Sequence, residues 1–223
     1  MIYEAFRSGD IDAYVDYSVT LWANQFKHPG IAARDQVLAD LKQDLAKDGI
    51  TLLGELGFAN AYALVMPRAK AERLKIRSIA DLAARAPSMT IAGDYEFFSR
   101  PEWANLRPAY GLAFKTERQM QPDFMYAAVA SGEVDLIAGY TSDGLIAKYD
   151  LVVLDDPKQA IPPYDAVLLL APKRASDSKL RTALNPLLGR IDIEAMREAN
   201  LQAGSGGTPD AVARALWERV KPR

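Results

Sequence analysis

A chain of 223 residues, 49% hydrophobic and 25% charged, carries enough apolar content for one large domain or two small ones and reads as globular rather than disordered. Its net charge of −2, with lysines and arginines scattered rather than striped, argues against nucleic acid as a partner. The lack of cysteine removes disulfides, thiol nucleophiles, thiolate metal sites and a lipoprotein anchor from this sequence, and no run approaches the roughly 20 apolar residues of a membrane helix.

In chain order, residues 1 to 8 read as the end of an amphipathic helix that stops at Gly9. Met1-Ile2-Tyr3-Glu4-Ala5-Phe6-Arg7 lacks the basic-then-apolar order of a signal peptide, so the targeting segment of an exported protein is expected to lie outside this sequence. Val37, Leu38, Leu41 and Leu45 share one face of a helix over residues 31 to 48, closed by Gly49. Tyr62 to Met66 reads as a short buried strand. Ser78-Ile79-Ala80-Asp81 resembles a capping box opening a helix that ends before Pro87, followed by a strand from Met89 to Ala92. An apolar helix from Asp123 to Ser131 runs into Gly132, then a strand from Val134 to Ala138 and the loop Gly139-Tyr140-Thr141-Ser142-Asp143-Gly144. Strands follow at Leu151 to Leu154 and Ala166 to Leu170, the latter apolar enough for burial on both faces. Leu180 through Ile191 follow helical spacing with a kink at Pro186, and the loop Gly204-Ser205-Gly206-Gly207 precedes a last helix capped by Thr208 with Pro209 at its first position.

One phrase occurs twice. Ser8-Gly9-Asp10-Ile11-Asp12 leads to Tyr17, and Ser131-Gly132-Glu133-Val134-Asp135 leads to Tyr140 at the same offset. A helix that ends at glycine and feeds a strand with a distal aromatic reads as one α/β unit in each of two lobes. Passages near Tyr62 to Leu64 and Pro163 to Ala166 bracket a central block. The expected division is therefore a discontinuous first lobe, 1–63 and 166–223, and a second lobe, 64–165, joined by two crossing strands that can act as a hinge.

Ligands of open α/β sheets collect beyond the carboxyl ends of strands, which draws attention to Tyr17, Tyr62, Tyr140 and Tyr164. A quaternary ammonium has no N–H to donate and suits aromatic faces, so these rings read either as a cage for such a cation or as core and interface tyrosines. Arg100 reads as a bidentate partner for a carboxylate or as a surface arginine paired with Glu96 or Glu102. Thr20, three residues past Tyr17, is a hydroxyl donor near the same place or a helix cap. Trp103 is a cleft residue or packing.

Asp16-Tyr17-Ser18-Val19-Thr20, Gly57-Phe58-Ala59-Asn60-Ala61-Tyr62-Ala63-Leu64, Gly93-Asp94-Tyr95-Glu96-Phe97-Phe98-Ser99-Arg100-Pro101, Gly139-Tyr140-Thr141-Ser142-Asp143-Gly144 and Pro162-Pro163-Tyr164-Asp165-Ala166 resemble successive motifs of the osmoprotectant substrate-binding proteins of ABC importers. Those proteins take glycine betaine, choline, carnitine and related compounds. The resemblance covers nearly the whole chain in order. It implies a type II periplasmic-binding-protein fold of the α/β class and a cage from Tyr17, Tyr62, Tyr140 and Tyr164. It also implies a polar end formed by Arg100 and Thr20, with Asn60 beside the cage. A membrane permease is the implied partner, on the periplasmic or extracellular side of the cytoplasmic membrane. Members usually begin with a strand and helix ahead of the segment matching Met1, so such a piece of the first lobe is expected to lie outside this sequence. Val15 stands where the family often has proline, and Val19 where it often has glycine.

His28 is the only histidine, which argues against a histidine-based metal site or triad and reads as a surface loop position. Asp10, Asp12 and Asp16 read as solvated turn acids rather than a cation site, and Gly204 to Gly207 as a linker. No cofactor or metal is expected, and the chain reads as a binding protein rather than an enzyme. Two alternatives stand beside it: a sensory input domain using the same clamshell, and a hydrolase built on a carboxylate pair among Asp94, Glu96 and Asp143.

Overall fold

In the computed structural model, residues 2–221 are described; Met1, Pro222 and Arg223, at the ends of the expected first lobe, lie outside the described residues. Two compact units emerge: Met1–Asn60 with Pro162–Ala199 and Gly206–Arg223, and Ala61–Ile161 with Asn200–Ser205. These breaks differ by a few residues from the 63/64 and 165/166 boundaries read from the sequence. Tyr62 and Ala63 group with the second unit because they pair with Tyr140 and Gly139. Tyr164 groups with the first, where its carbonyl accepts from the Asn60 amide at 3.0 Å.

The first unit is built on strand β8 (Asp165–Leu170), every residue of which is buried. β1 (Ala13–Tyr17) and β2 (Thr51–Ala59) flank it, both antiparallel to it. Alternation along β8 sends Val167 and Leu169 to one face and Ala166 and Leu168 to the other. Helices α1 (Ile2–Ser8) and α2 (Arg34–Lys47) cover the first face with Phe6, Val37, Leu41 and Leu45, joined by Leu21 and Trp22 of a π-helix, Thr20–Gln25. Opposite, Leu56 and Phe58 pack with Ile191 and Val220.

The second unit holds a five-stranded mixed sheet in the order β5-β4-β6-β3-β7. These strands are β3 (Tyr62–Pro67), β4 (Thr90–Gly93), β5 (Thr116–Gln119), β6 (Leu136–Tyr140) and β7 (Leu151–Val153). β4 runs parallel to β5 and β6, and β3 antiparallel to β6 and β7. Leu64, Met66, Ile91 and Leu136 point to a core shared with α4 (Ile79–Ala83) and α5 (Pro101–Tyr110); α3 (Arg68–Leu74) adds Ala71. Ala63, Val65 and Ile137 face α6 (Pro122–Ser131) and α7 (Leu145–Lys148). The first unit is completed by α8 (Ser178–Leu184), α9 (Ile193–Gly204) and α10 (Pro209–Val220), with residues 200–205 of the α9 end grouping with the second unit.

The repeated phrase takes one local form in both units. Gly9 and Gly132 follow α1 and α6 with φ of 87° and 82°, a left-handed conformation that suits glycine, and each leads to a strand whose last residue is the tyrosine. The Ser78 to Asp81 capping box forms in full. The segment from Leu180 to Ile191 is not one kinked helix: α8 stops at Leu184 and a single 3-10 turn holds Pro186, whose missing N–H ends the α ladder. His28 is not a bare surface residue, since its ring stacks on Trp22 at 4.9 Å and its Nε2 lies 2.7 Å from Asp44. Asp12 is likewise engaged, with Arg174 and Lys173 bringing its carboxyl down to about 2.

Two points hold the first sheet in shape. Gly57 has φ of 115°, and a Cβ there would lie 2.9 Å from the Ile191 carbonyl oxygen and 3.1 Å from the Gly189 carbonyl carbon. Ser18 is fully buried; its Oγ donates to the Pro163 carbonyl at 2.8 Å and accepts from the Asp165 amide at 3.0 Å, tying the end of β1 to the start of β8. Gly57→Ala adds backbone strain to a backbone clash and is expected to cost at least about 2 kcal/mol in urea unfolding. Ser18→Ala takes the hydroxyl partner from the part-buried Pro163 carbonyl and the buried Asp165 amide, for an expected loss of about 1 to 3 kcal/mol in the same measurement.

Candidate ligand-binding site

In the second unit the candidate residues meet across three neighbouring strands. Tyr62 opens β3 and Tyr140 closes β6, and the two are direct register partners. Their side chains therefore rise on the same face, with ring centroids 4.5 Å apart and planes 33° from parallel. Asp94 follows the last residue of β4, the strand on the other side of β6. Its Oδ2 accepts from the Tyr62 hydroxyl at 3.1 Å and from the Tyr140 hydroxyl at 3.4 Å. Its Oδ1 accepts from the amides of Glu96 and Phe97 at 2.9 and 2.8 Å, so the carboxylate is fixed by its own turn.

Burial is the main cause raising both phenols above the ordinary tyrosine value. They stay protonated near neutral pH and act as donors to Asp94. Tyr62 is only 5% exposed, backed by Phe97 at 5.0 Å, while Tyr140 is half-buried. Trp103 belongs to that backing: it is buried and packs against Phe97, Phe98 and Phe114, which places it in the core.

Arg100 precedes α5 and carries its guanidinium carbon to 5.4 Å from the Tyr62 ring centroid. Glu96 holds it at 3.2 Å and Glu102 at 3.3 Å, and Glu102 is buried. Of the two readings of Arg100 the pairing with Glu96 and Glu102 is the one seen, with the guanidinium also lying against an aromatic ring. The backbone of Tyr140 has its own anchor, because its amide donates to Asp143 Oδ2 at 3.2 Å and the Tyr126 hydroxyl donates to the same carboxylate. A Cβ at Gly139 would lie 2.5 Å from that hydroxyl, so the bond requires glycine at this position.

In the first unit Tyr17, Asn60 and Tyr164 come together. Tyr17 lies opposite Ala166, and its hydroxyl is hydrogen-bonded to the Asn60 side chain. Asn60 in turn donates its amide to the Tyr164 carbonyl. Arg34 bonds Asp165 through Nε at 3.1 and 3.0 Å and also reaches Glu55, bracing the same chain segment. Thr20 is not a cap: Val19 occupies the cap position, Thr20 opens the π-helix, and among the described residues no hydrogen bond joins it to these groups.

Sequence reasoning overlooked Asp94 and Ser18 as organisers of these clusters. It weighed Asp94 and Asp143 only as hydrolytic carboxylates, whereas both accept hydrogen bonds from tyrosine hydroxyls and backbone amides. The legible signal for Asp94 was its place two and three residues ahead of amides in a strand-to-helix turn. A separate groove of about 790 Å³ along α3 and β7 is lined by Arg68, Glu72, Lys75, Arg77, Asp81 and Asp155. It offers charged walls without a ring and does not match the chemistry of a methylated cation.

Three comparisons bear on identity. The chain is 28% identical over 225 residues to the ergothioneine transport permease/ergothioneine binding protein EgtU of Helicobacter pylori, covering 98% of this chain and 40% of that protein. It is 27% identical over 223 residues to the carnitine transport binding protein OpuCC of Listeria monocytogenes, covering 97% of this chain and 72% of that one. The crystal structure of a glycine betaine/carnitine/choline ABC transporter superposes with a TM-score of 0.92 at 29% identity, over 97% of this chain and 82% of that one. The fold is that of the type II periplasmic binding proteins. Residues 1–219 match the family described as the substrate binding domain of ABC-type glycine betaine transport systems, and the chain belongs to that family.

Proposed function

We propose that this chain captures a small quaternary ammonium solute, such as glycine betaine, choline or carnitine, for delivery to an ABC permease on the periplasmic or extracellular side of the cytoplasmic membrane. The proposed cage is made of Tyr17, Tyr62, Tyr140 and Tyr164. Arg100 and Thr20 take the carboxylate or hydroxyl end of the solute, with Asn60 beside the rings.

The observation that carries the reading is the ring pair of Tyr62 and Tyr140 beside the Arg100 guanidinium. A guanidinium against a phenol face supports a cation-accepting site here, and methyl groups bearing diffuse charge gain from such a face without needing an acceptor. Matching relatives named for carnitine and ergothioneine add support, since both solutes carry a trimethylammonium head. Binding is expected to come mainly from burying a weakly hydrated cation against rings, and so to be less sensitive to salt than an exposed ion pair.

Calorimetry with glycine betaine, choline, carnitine and ergothioneine tests the assignment. At least one is expected to bind, and Tyr140→Ala is expected to weaken that binding by about 1 to 2 kcal/mol, the value of one well-buried cation–π face. Absence of binding by the whole panel, or an unchanged affinity in the variant, would reject the reading.

A further inference from the structure

The carboxylate that ties the ring pair together has a consequence beyond posture. Asp94 is not a surface acid that drifts against two tyrosines. Two backbone amides clamp one of its oxygens, and the other faces both hydroxyls. The amides of Glu96 and Phe97 are positioned by a 3-10 turn, Phe97–Ser99, that packs Phe97 onto the Tyr62 ring. Gly93 lets that turn fold back, because a Cβ there would come within 3.0 to 3.2 Å of Phe97 and Phe98. The turn, the ring pair and the carboxylate therefore form one built unit.

We propose that Asp94 is a positioning and specificity-determining residue: by accepting from the hydroxyls of Tyr62 and Tyr140 it locks their rings in one orientation and makes that wall select a methylated cation over an uncharged ligand of equal shape. The inference rests on the quaternary ammonium reading and names what sets charge selectivity within it. The physical basis is twofold. A phenol that donates to a carboxylate gains electron density on its ring, which strengthens attraction for a cation at the ring face. The carboxylate itself also sits at the hydroxyl end of both rings, in surroundings where screening is weak because Tyr62 is buried.

Charges near the pair sharpen the point. Arg100 is the cation against Tyr62, and Glu96 and Glu102 hold it by ion pairs. One positive group is thus already offset by two acids, leaving Asp94 as the negative charge directed at the phenols. Without Asp94 the same rings would still present apolar area to a ligand, and a tert-butyl group would fit where a trimethylammonium fits.

The test compares two pairs of compounds that differ only in nitrogen against carbon at the head: choline with 3,3-dimethylbutan-1-ol, and glycine betaine with 3,3-dimethylbutanoate. Calorimetric affinities are measured for the wild-type chain, Asp94→Asn, and the double variant Tyr62→Phe with Tyr140→Phe, which keeps both rings but removes their bonds to Asp94. The expected result is that wild type prefers the member with the quaternary nitrogen over its carbon analogue and that both variants lower this preference about tenfold. A purely structural role would weaken both members alike, leaving their ratio unchanged, and would overturn the inference. If Asp94→Asn does not fold, the double phenylalanine variant decides by the same ratio. Failure of wild type to bind either cation would remove the quaternary ammonium reading and this inference with it, whereas normal wild-type binding with an unaltered ratio in the variants removes the inference alone.

Discussion

The antiparallel register that sets Tyr62 opposite Tyr140 is the constraint on which the second unit's candidate site depends. Residues along β3 alternate, with Tyr62, Leu64 and Met66 entering one core and Ala63 and Val65 the other. A slip of one residue would drive Tyr62 into the α6 side and bring small residues against Phe97 and Trp103. The cost of that exchange is paid over the whole sheet, so the ring pair is held by packing far larger than itself. Asp94 completes the arrangement from just past a third strand, which converts two tilted rings into a fixed pair of hydrogen-bond donors.

Polar groups in both units follow one pattern. At each strand end a short side chain is saturated by neighbours: Ser18 between Pro163 and Asp165, Asp94 among two phenols and two amides, Asp143 between a phenol and an amide. No buried side-chain nitrogen or oxygen lacks a partner among the described residues. In a low-dielectric setting a half-satisfied group would be costly, so complete saturation favours a single arrangement of the surrounding side chains. Rigid walls of this kind reduce the ordering cost that a small ligand must overcome.

Much of this was legible from local signals. Gly9 and Gly132 announced helix ends, the capping box at Ser78 was visible in four residues, and the repeated phrase led directly to Tyr17 and Tyr140. β2 was not recognised, because Gly54 and Gly57 interrupt its alternation and its pairing with β8 is irregular at those points. The helical reading past Leu184 failed because hydrophobic spacing persisted through Pro186 after the backbone ladder had ended. His28 looked like a loop residue because its partners, Trp22 and Asp44, come from separate elements. Asp94 escaped for the same reason: its four partners include two tyrosines distant in sequence, and no local pattern encodes that meeting.

The central claim is that methylated cations are read by phenol rings set in place by β-sheet register. Its most direct test is a crystal structure of the chain grown with glycine betaine or choline. The account predicts the quaternary nitrogen within about 6 Å of the Tyr140 ring centroid, with the Asp94 hydrogen bonds to both hydroxyls retained. Solute found instead in the charged groove along α3 and β7, with the rings untouched, would contradict it.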